Sequence, residues 1–393
     1  MKICMLVHQN YFNDQRVIRY ADTLIQQGHQ VDVICPVNKK FTHMKKDSPV
    51  KVNTIPVYHG NSNHALEYLL EYAIAFFLYF FLMTWRFIIR GYDVIHVHNM
   101  PDFLVFTALI PRIFGAKMIL DIHDPFPEFY QSKFNASSDS KLAKILFFEE
   151  RMSIYFVHAV ITANHNFRDN LVARGVPEDK VTVVRNFPDR SVYNRKNFQE
   201  MGSKDHEKFV IAYPGTIAPR YGLEVAIKGV ATLVDEFPRL ELRIIGPETA
   251  HKQKLRELVT TLGVSDNVKI LPAVKMMEVP LVLSQADMGM YPAFPDPHMD
   301  IAIPTKVLEF TVMGLPVIAS ELTVIKQLFE HGKVYTFPPG DHQAFAAILG
   351  NCLRARCDLD EMVAYNDEHL LPEWKWSLER EYYLDLISQW DKK

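Results

Sequence analysis

The feature that most constrains this chain is a rhythm that runs, breaks and starts again. Short apolar runs alternate with longer helical stretches from residue 2 to about 185, and again from 209 to about 337. The first series places strands at 2–7, 30–35, 50–57, 93–98, 117–123, 159–163 and 180–184. The second places them at 209–215, 240–246, 267–272, 286–292, 316–320 and near 333–337. Strands that alternate with helices of ten or more residues form right-handed βαβ units and a parallel sheet. Between the two series, NFPDRSVYNRKNFQEMGSKDHE (186–207) is polar, lacks a periodic apolar face and carries Pro188 and Gly202. Such a stretch reads as a connection. The expected organisation is an α/β domain over 1–190, a linker over 191–207, a second α/β domain over 208–370, and a last helical segment over 371–393.

Composition narrows what such a chain can do. Its 393 residues suffice for two domains, and 48% hydrophobic with 23% charged residues is a globular balance. A net charge of −3 argues against a phosphate-backbone binder, so no nucleic-acid partner is expected. Residues 1–190 hold 21 basic and 18 acidic side chains, and the remainder 22 and 28, so the N-terminal half is the more basic. Four cysteines without metal-ligand spacing are expected to be reduced and structural, as in a cytoplasmic chain. The apolar start, Met1–Val7, is too short for a signal peptide before the polar His8, Gln9 and Asn10.

One segment has membrane character. Tyr72 to Trp85 (YAIAFFLYFFLMTW) is uncharged for fourteen residues, short of the about 20 needed to span. A true span is the third reading beside two others. The segment is a covered helix of the first sheet, or it lies at an anionic membrane surface with its rings among the headgroups and Arg86 and Arg90 reaching phosphates.

In open α/β sheets ligands bind beyond the carboxyl ends of the strands. The usual nucleotide loops are absent there: no G-x-G-x-x-G and no G-x-x-x-x-G-K-[ST] occurs. Neither G-x-S-x-G nor H-E-x-x-H is present. What remains is a set of polar residues at strand ends. In DIAIPTKVLEFTVMGLPVIAS (300–320), Pro304 suits a first helical turn, which puts Thr305 and Lys306 at a helix N-terminus, a ready anion site. Glu309 lies one turn further and can accept two hydrogen bonds from a ribose diol. In AYPGTIAPRYGLEVAIKG (212–229), Gly215 allows close backbone approach after a strand, and Arg220 sits where a helix begins and can hold a diphosphate. LDIHDPFPE (120–128) and HVHNMPD (96–102) set His123, Asp124, His98 and Asn99 just after strands. HQNYFNDQRV (8–17) offers Asn10, Asp14 and Arg16. Asp358-Leu359-Asp360 spells D-x-D between late helices rather than after a strand, and the sixteen histidines form no ligand cluster, so no metal is expected.

The segment at 300–320 resembles the nucleotide-sugar signature of the retaining glycosyltransferases of family four, which have the GT-B fold: Glu, seven residues, Glu, then Gly-x-Pro-Val. The resemblance implies two doubly wound Rossmann-like domains facing across a cleft, with the C-terminal helix crossing back onto the first. It implies that Glu309 is the second glutamate, which holds the donor ribose, and that Gly314, Pro316 and Val317 close the motif. Ile301 stands where the first glutamate would be, with Asp300 beside it as candidate replacement, and Pro304 replaces a glycine. By the same resemblance Gly215, Thr216 and Arg220 form the diphosphate loop. Tyr221 stands where a second base is common, and Lys306 supplies that charge. Ala273 and Val274 lie where backbone groups contact the base, and His123 contacts the transferred sugar. Asn10, His98, Asn99 and Asp124 fall on the acceptor side.

The implied activity is transfer from a UDP- or GDP-sugar to a glycan or lipid-linked acceptor in polysaccharide or glycolipid assembly, at the inner face of the cell membrane. His123, Arg220 and Lys306 would be catalytic, with no cofactor and no metal. Two other readings share the architecture: a sugar-nucleotide 2-epimerase and a non-catalytic sugar-nucleotide-binding scaffold.

Overall fold

The computed structural model describes residues 1–37, 49–56, 65–134, 136–198, 207–354 and 357–391. The chain divides into two compact units, Met1–Asn186 with Glu379–Lys393, and Phe187–Leu378.

The first unit is built on a seven-stranded parallel sheet: β1 (Lys2–Val7), β2 (Gln30–Pro36), β3 (Lys51–Ile55), β4 (Val94–His98), β5 (Lys117–Ile122), β6 (Ala159–Thr162) and β7 (Val181–Val183). Their order is β3-β2-β1-β4-β5-β6-β7. β1 has only its first residue exposed, because helices cover both faces of a parallel sheet. The order reverses between β1 and β4, so the loops after Val7 and His98 flank the crevice where such sheets take ligands.

The second unit repeats the plan with six strands: β8 (Phe209–Pro214), β9 (Leu240–Ile245), β10 (Val268–Leu271), β11 (Met288–Tyr291), β12 (Val317–Ser320) and β13 (Tyr335–Phe337). The order is β10-β9-β8-β11-β12-β13, all parallel, with the reversal between β8 and β11. All thirteen strands fall where the apolar runs placed them, and the two Rossmann-like sheets are those expected.

The boundary lies earlier than the polar composition of 186–207 suggested. Phe187 and Tyr193 are buried in the second unit's core, and Arg195 holds Asp367 at 2.6 Å. Residues 187–198 are thus part of that unit, and 199–206 lie outside the described residues. Two aromatic side chains and one arginine suffice to dock a stretch that has no periodicity of its own. Trp374 packs in the same core between Phe187 and Phe329, with ring centroids 5.8 and 5.9 Å away. The segment from Glu379 onward belongs to the first unit. There Tyr383 is fully buried against Tyr20, and Glu379 accepts from the Arg185 backbone and guanidinium at 2.6 and 2.8 Å.

The aromatic segment forms the helix Ala65–Arg90. By length and composition, Tyr72–Arg90 would pass for a membrane-crossing helix. Yet Ala75, Tyr79 and Met83, at four-residue spacing, are fully buried in the first unit's core, and the Tyr79 hydroxyl bonds the Val7 carbonyl at 3.1 Å. The helix lies along the sheet on one stripe, flanked by the half-buried Leu78, Leu82 and Phe87, and exposes Ile74, Phe77, Phe81, Trp85, Ile88 and Ile89. Arg86 and Arg90 both turn inward to the buried carboxylate of Asp32, at 2.8 and 3.3 Å. They are not available for lipid phosphates as the sequence suggested.

Candidate active site

In the second unit Gly215, Lys306 and the loop of Arg220 come together at the switch point. Gly215 follows β8 with φ of 142°, and a Cβ there would collide with the Lys306 side chain. Only glycine lets the lysine stem cross the strand end so closely. The Lys306 ammonium lies 5.3 Å from the Tyr213 ring centroid and 4.8 Å from that of Tyr221, so two aromatic faces hold the cation over the loop. Lys306 is also the second residue of the helix Thr305–Val312, whose N-terminus at Pro304 has no side-chain cap. The uncapped first turn offers free amides and the positive end of the helix dipole, and Lys306 adds a formal charge to the same turn, the makings of an anion site.

The loop carrying Arg220 is tied to this helix's approach. The Phe294 amide donates to the Arg220 carbonyl at 2.9 Å, and Gly222, at φ of 58°, leaves no room for a Cβ against the Pro292 carbonyl. The Arg220 guanidinium rests 5.3 Å from the Tyr221 ring. Thr216 is exposed, and its carbonyl accepts from the Tyr213 hydroxyl at 2.9 Å. Glu309 is half-buried one turn along the same helix. Burial pushes its carboxyl up to about 7, while the Tyr193 hydroxyl and Lys306 favour the ionised form. Ala273 and Val274 lie on the loop after β10, Ala273 exposed and Val274 half-buried. The Asp300 carboxylate accepts from the Thr323 amide at 3.3 Å, facing the start of the helix Thr323–Leu328. Asp358 and Asp360 are exposed on the helix Cys357–His369.

One residue of this region escaped the sequence reading. Lys252 is fully buried, and its ammonium bonds the Gly246 carbonyl, the Leu271 carbonyl and Glu248, each at 2.8 Å. It joins the ends of β9 and β10. Gly246 in turn packs against the Gly215 carbonyl so tightly that a Cβ would clash. A lysine on an amphipathic helix gives no sign of being buried until the strand ends that receive it are in place.

In the first unit the candidate residues gather around one carboxylate that the sequence reading passed over, Asp121 in β5. Arg16 donates to it twice, Nε to Oδ2 at 3.0 Å and Nη2 to Oδ1 at 2.9 Å, and to the Val184 carbonyl at 2.8 Å. The His123 Nε2 is 3.1 Å from Asp121 Oδ2 and 3.2 Å from His98 Nδ1. Burial opposes ionisation of Asp121, but Arg16 and His123 outweigh it and hold the carboxyl well below the usual range. Burial likewise opposes an imidazolium at His123, but Asp121 outweighs it and raises the ring above an ordinary histidine. His96 and His98, fully buried, are lowered chiefly by that burial.

His123 is the histidine of this group that is partly exposed, at 19%. Asn99 staples the two loops: its Oδ1 accepts from the His123 amide at 2.8 Å and its Nδ2 donates to the Asp124 carbonyl at 2.7 Å. Asn99 and His98 are therefore buried supports here. Asn10 caps the turn Tyr11–Asn13 by accepting from the Phe12 amide at 3.1 Å, and its Nδ2 finds no partner among the described residues. Asp14 caps the helix Gln15–Gln26, and Arg16 is 3% exposed. Neither offers the free acceptor-side group that their loop position suggested.

His96, His98 and Asp121 could offer ligand atoms within 4.8 Å of one another. Both oxygens of Asp121 already serve Arg16, so a dication there would face a guanidinium at close range. The charge balance does not fit a metal.

The geometry defines a GT-B fold with a cationic strand-end site in its second unit. The model of the Glycosyltransferase Family 4 matches residues 15–192, and that of the Glycosyl transferases group 1 matches residues 194–369. The chain belongs to these family-4, group-1 glycosyltransferases. It is 28% identical over 199 residues to the amylovoran biosynthesis glycosyltransferase AmsK of Erwinia amylovora, covering 50% of this chain and 48% of the relative. It is 22% identical over 199 residues to the GDP-mannose:cellobiosyl-diphosphopolyprenol alpha-mannosyltransferase of Xanthomonas campestris, covering 50% and 49%. Such matches span about half the length of the curated relatives. Among solved structures, the HepE protein of Anabaena in complex with UDP superposes with a TM-score of 0.72 at 16% identity, over 99% of this chain and 100% of that one.

Proposed function

We propose that this chain is a retaining glycosyltransferase. It moves a hexosyl or N-acetylhexosaminyl group from a UDP- or GDP-sugar to a glycan or lipid-linked acceptor, in polysaccharide or glycolipid assembly on the cytoplasmic side. The observation that carries the reading is Lys306, held by two aromatic rings over Gly215 at the uncapped N-terminus of its helix. That arrangement suits a diphosphate whose charge grows as its bond to the sugar breaks.

In the proposed reaction the anomeric carbon–oxygen bond to the diphosphate breaks, and the acceptor oxygen bonds the same carbon from the same side. The acceptor proton leaves with the diphosphate oxygen. Lys306, Arg220 and the helix amides balance the leaving charge, the role a metal ion plays in other folds. Glu309 holds the ribose, the loop at Ala273 and Val274 lies by the base, and His123 orients the sugar. The relatives' names, amylovoran biosynthesis and transfer to a diphosphopolyprenol, support a bacterial glycan or lipid-linked acceptor. The buried free thiols Cys4, Cys35 and Cys352 suit a reducing compartment.

The test is calorimetry with UDP-glucose, GDP-mannose and other nucleotide sugars, followed by product analysis with a lipid-linked acceptor. Transfer with retained anomeric configuration supports the reading. Epimerised UDP-sugar without acceptor, or donor binding without any turnover in the presence of acceptors, would overturn it.

A further inference from the structure

The first unit has one outer layer that is unlike the rest of the surface. Among the described residues, fifteen of the twenty-one exposed large hydrophobic side chains lie on the helices Ala65–Arg90, Leu109–Ile113, Phe126–Phe134 and Lys141–Phe156 or directly after them. The first and last of these helices pack into a single core cluster on one face of the sheet, and Ala108 and Ala116, which flank the second, join the same cluster, so the outward sides of the three lie on the same side of this unit. Phe81 is 65% exposed, Ile88 71%, Phe114 72% and Phe148 65%. The helix ends meet there: Phe87 and Phe114 approach to 6.4 Å between ring centroids, and Phe106 and Phe156 to 5.0 Å. Apolar exposure on this scale marks a site of contact.

At one border of the layer stands a group of cations. The Arg112 guanidinium lies 4.7 Å from the Phe156 ring, next in sequence to the exposed Ile113 and Phe114. Arg151 lies 5.5 Å from the exposed Tyr155 ring, and Arg151, Tyr155 and Lys180 line a common cavity of about 90 Å³. Lys117 and Arg112 both bear on His158, and Arg112 bears on Lys180: burial and then these neighbours lower both groups. Among the described residues no carboxylate pairs with Arg112, Lys117, Arg151 or Lys180. Elsewhere in this unit buried carboxylates do take up cations, as Asp32 does with Arg86 and Arg90.

We propose that this layer is a docking surface for an anionic phospholipid bilayer. The rings and aliphatic side chains would enter the headgroup region, and Arg112, Lys117, Arg151 and Lys180 would hold lipid phosphates. An apolar layer bordered by uncompensated cations matches a surface that is apolar within and anionic at its boundary. The buried stripe Ala75, Tyr79 and Met83 keeps the long helix on its own sheet, so the contact is parallel to the membrane and the helix does not span it. The inference stands apart from the donor chemistry, which concerns the other unit.

The test is flotation of the full chain with vesicles of phosphatidylcholine, with and without phosphatidylglycerol, at low and high salt. Binding should require phosphatidylglycerol and weaken with salt, because surface attraction is screened. Arg112→Gln with Lys180→Gln should lower partitioning roughly fivefold per charge removed. Phe81→Gln with Ile88→Gln, and a second pair, Phe77→Gln with Trp85→Gln, should abolish it. Melting temperature should hold in each, since Arg112, Phe77, Phe81, Trp85 and Ile88 are exposed and the half-buried Lys180 pairs with no carboxylate among the described residues, and UDP-glucose calorimetry on the same samples reads the donor site separately. Absence of flotation with phosphatidylglycerol would overturn the proposal. So would flotation unchanged by these substitutions, or apolar variants that convert a dimer to a monomer while partitioning stays the same.

Discussion

Arg16 grips Asp121 through two parallel hydrogen bonds of 3.0 and 2.9 Å, with the guanidinium 3% exposed and the carboxylate fully buried. The pairing joins the first helix to β5, 105 residues apart in sequence. It keeps Asp121 ionised, so that Oδ2 can also receive His123. The partly exposed ring is thereby held in one orientation, with Nε2 committed inward and Nδ1 the remaining nitrogen.

Asp121→Asn removes the anion that raises His123. If His123 acts as an imidazolium, the alkaline limb of the pH–rate profile should move to lower pH, while the KM for donor changes little. A profile unchanged in the variant would reject the relay. Stability follows by linkage. His123 is held above its unfolded value, so its contribution is complete below about 6.5 and fades as pH rises through the folded value. Asp121 is held below its own, so its contribution is complete above about 4 and fades only in stronger acid. Urea unfolding should therefore show the largest gap between wild type and variant between pH about 4 and about 6.5. Leaving Arg16 buried without its partner should cost about 3–5 kcal/mol.

Glu309 should make donor binding depend on pH. With its carboxyl pushed up to about 7, the free protein is mostly protonated there below that value. A ribose diol donates best to the ionised form. Affinity for UDP-glucose, whose diphosphate does not titrate in this range, should fall roughly fivefold from pH 7 to pH 6. Glu309→Gln should bind more weakly at pH 8 and show no such dependence. Calorimetry across pH decides it, and an identical slope in the variant would remove Glu309 from the ribose site.

Gly215 and Lys306 should fail together. Gly215→Ala puts a methyl where the Lys306 stem passes, at a positive φ that itself costs about 1–3 kcal/mol. Lys306→Ala should lower kcat about a hundredfold, more than it raises KM, because the leaving charge develops in the transition state. The double variant should be little worse than Lys306→Ala alone. Additive losses in kcat would mean the two act separately.

Chelation should be without effect. On the proposed reading Lys306 and Arg220 meet the diphosphate charge, and Arg16 already occupies Asp121, so EDTA should change neither melting temperature nor turnover. Activity lost to EDTA and restored by Mg²⁺ or Mn²⁺ would sink the metal-free assignment.

Much of this was legible in the residues. Strands buried on both faces must be short apolar runs, so period and length alone located all thirteen. Strand-end placement was readable for Lys306, Gly215 and Arg220, since a proline-led helix start and a glycine after a strand each have a local cause. Asp121, Lys252 and the fates of Arg16, Arg86 and Arg90 were decided only by tertiary structure. A charged residue's sequence neighbours do not say whether it meets solvent or a partner a hundred residues away, because desolvation and pairing are settled by packing. The same holds for the aromatic helix. Its composition permitted a core helix or a surface one, and only the sheet, by covering the stripe of Ala75, Tyr79 and Met83 and leaving Phe81 and Ile88 bare, made it both.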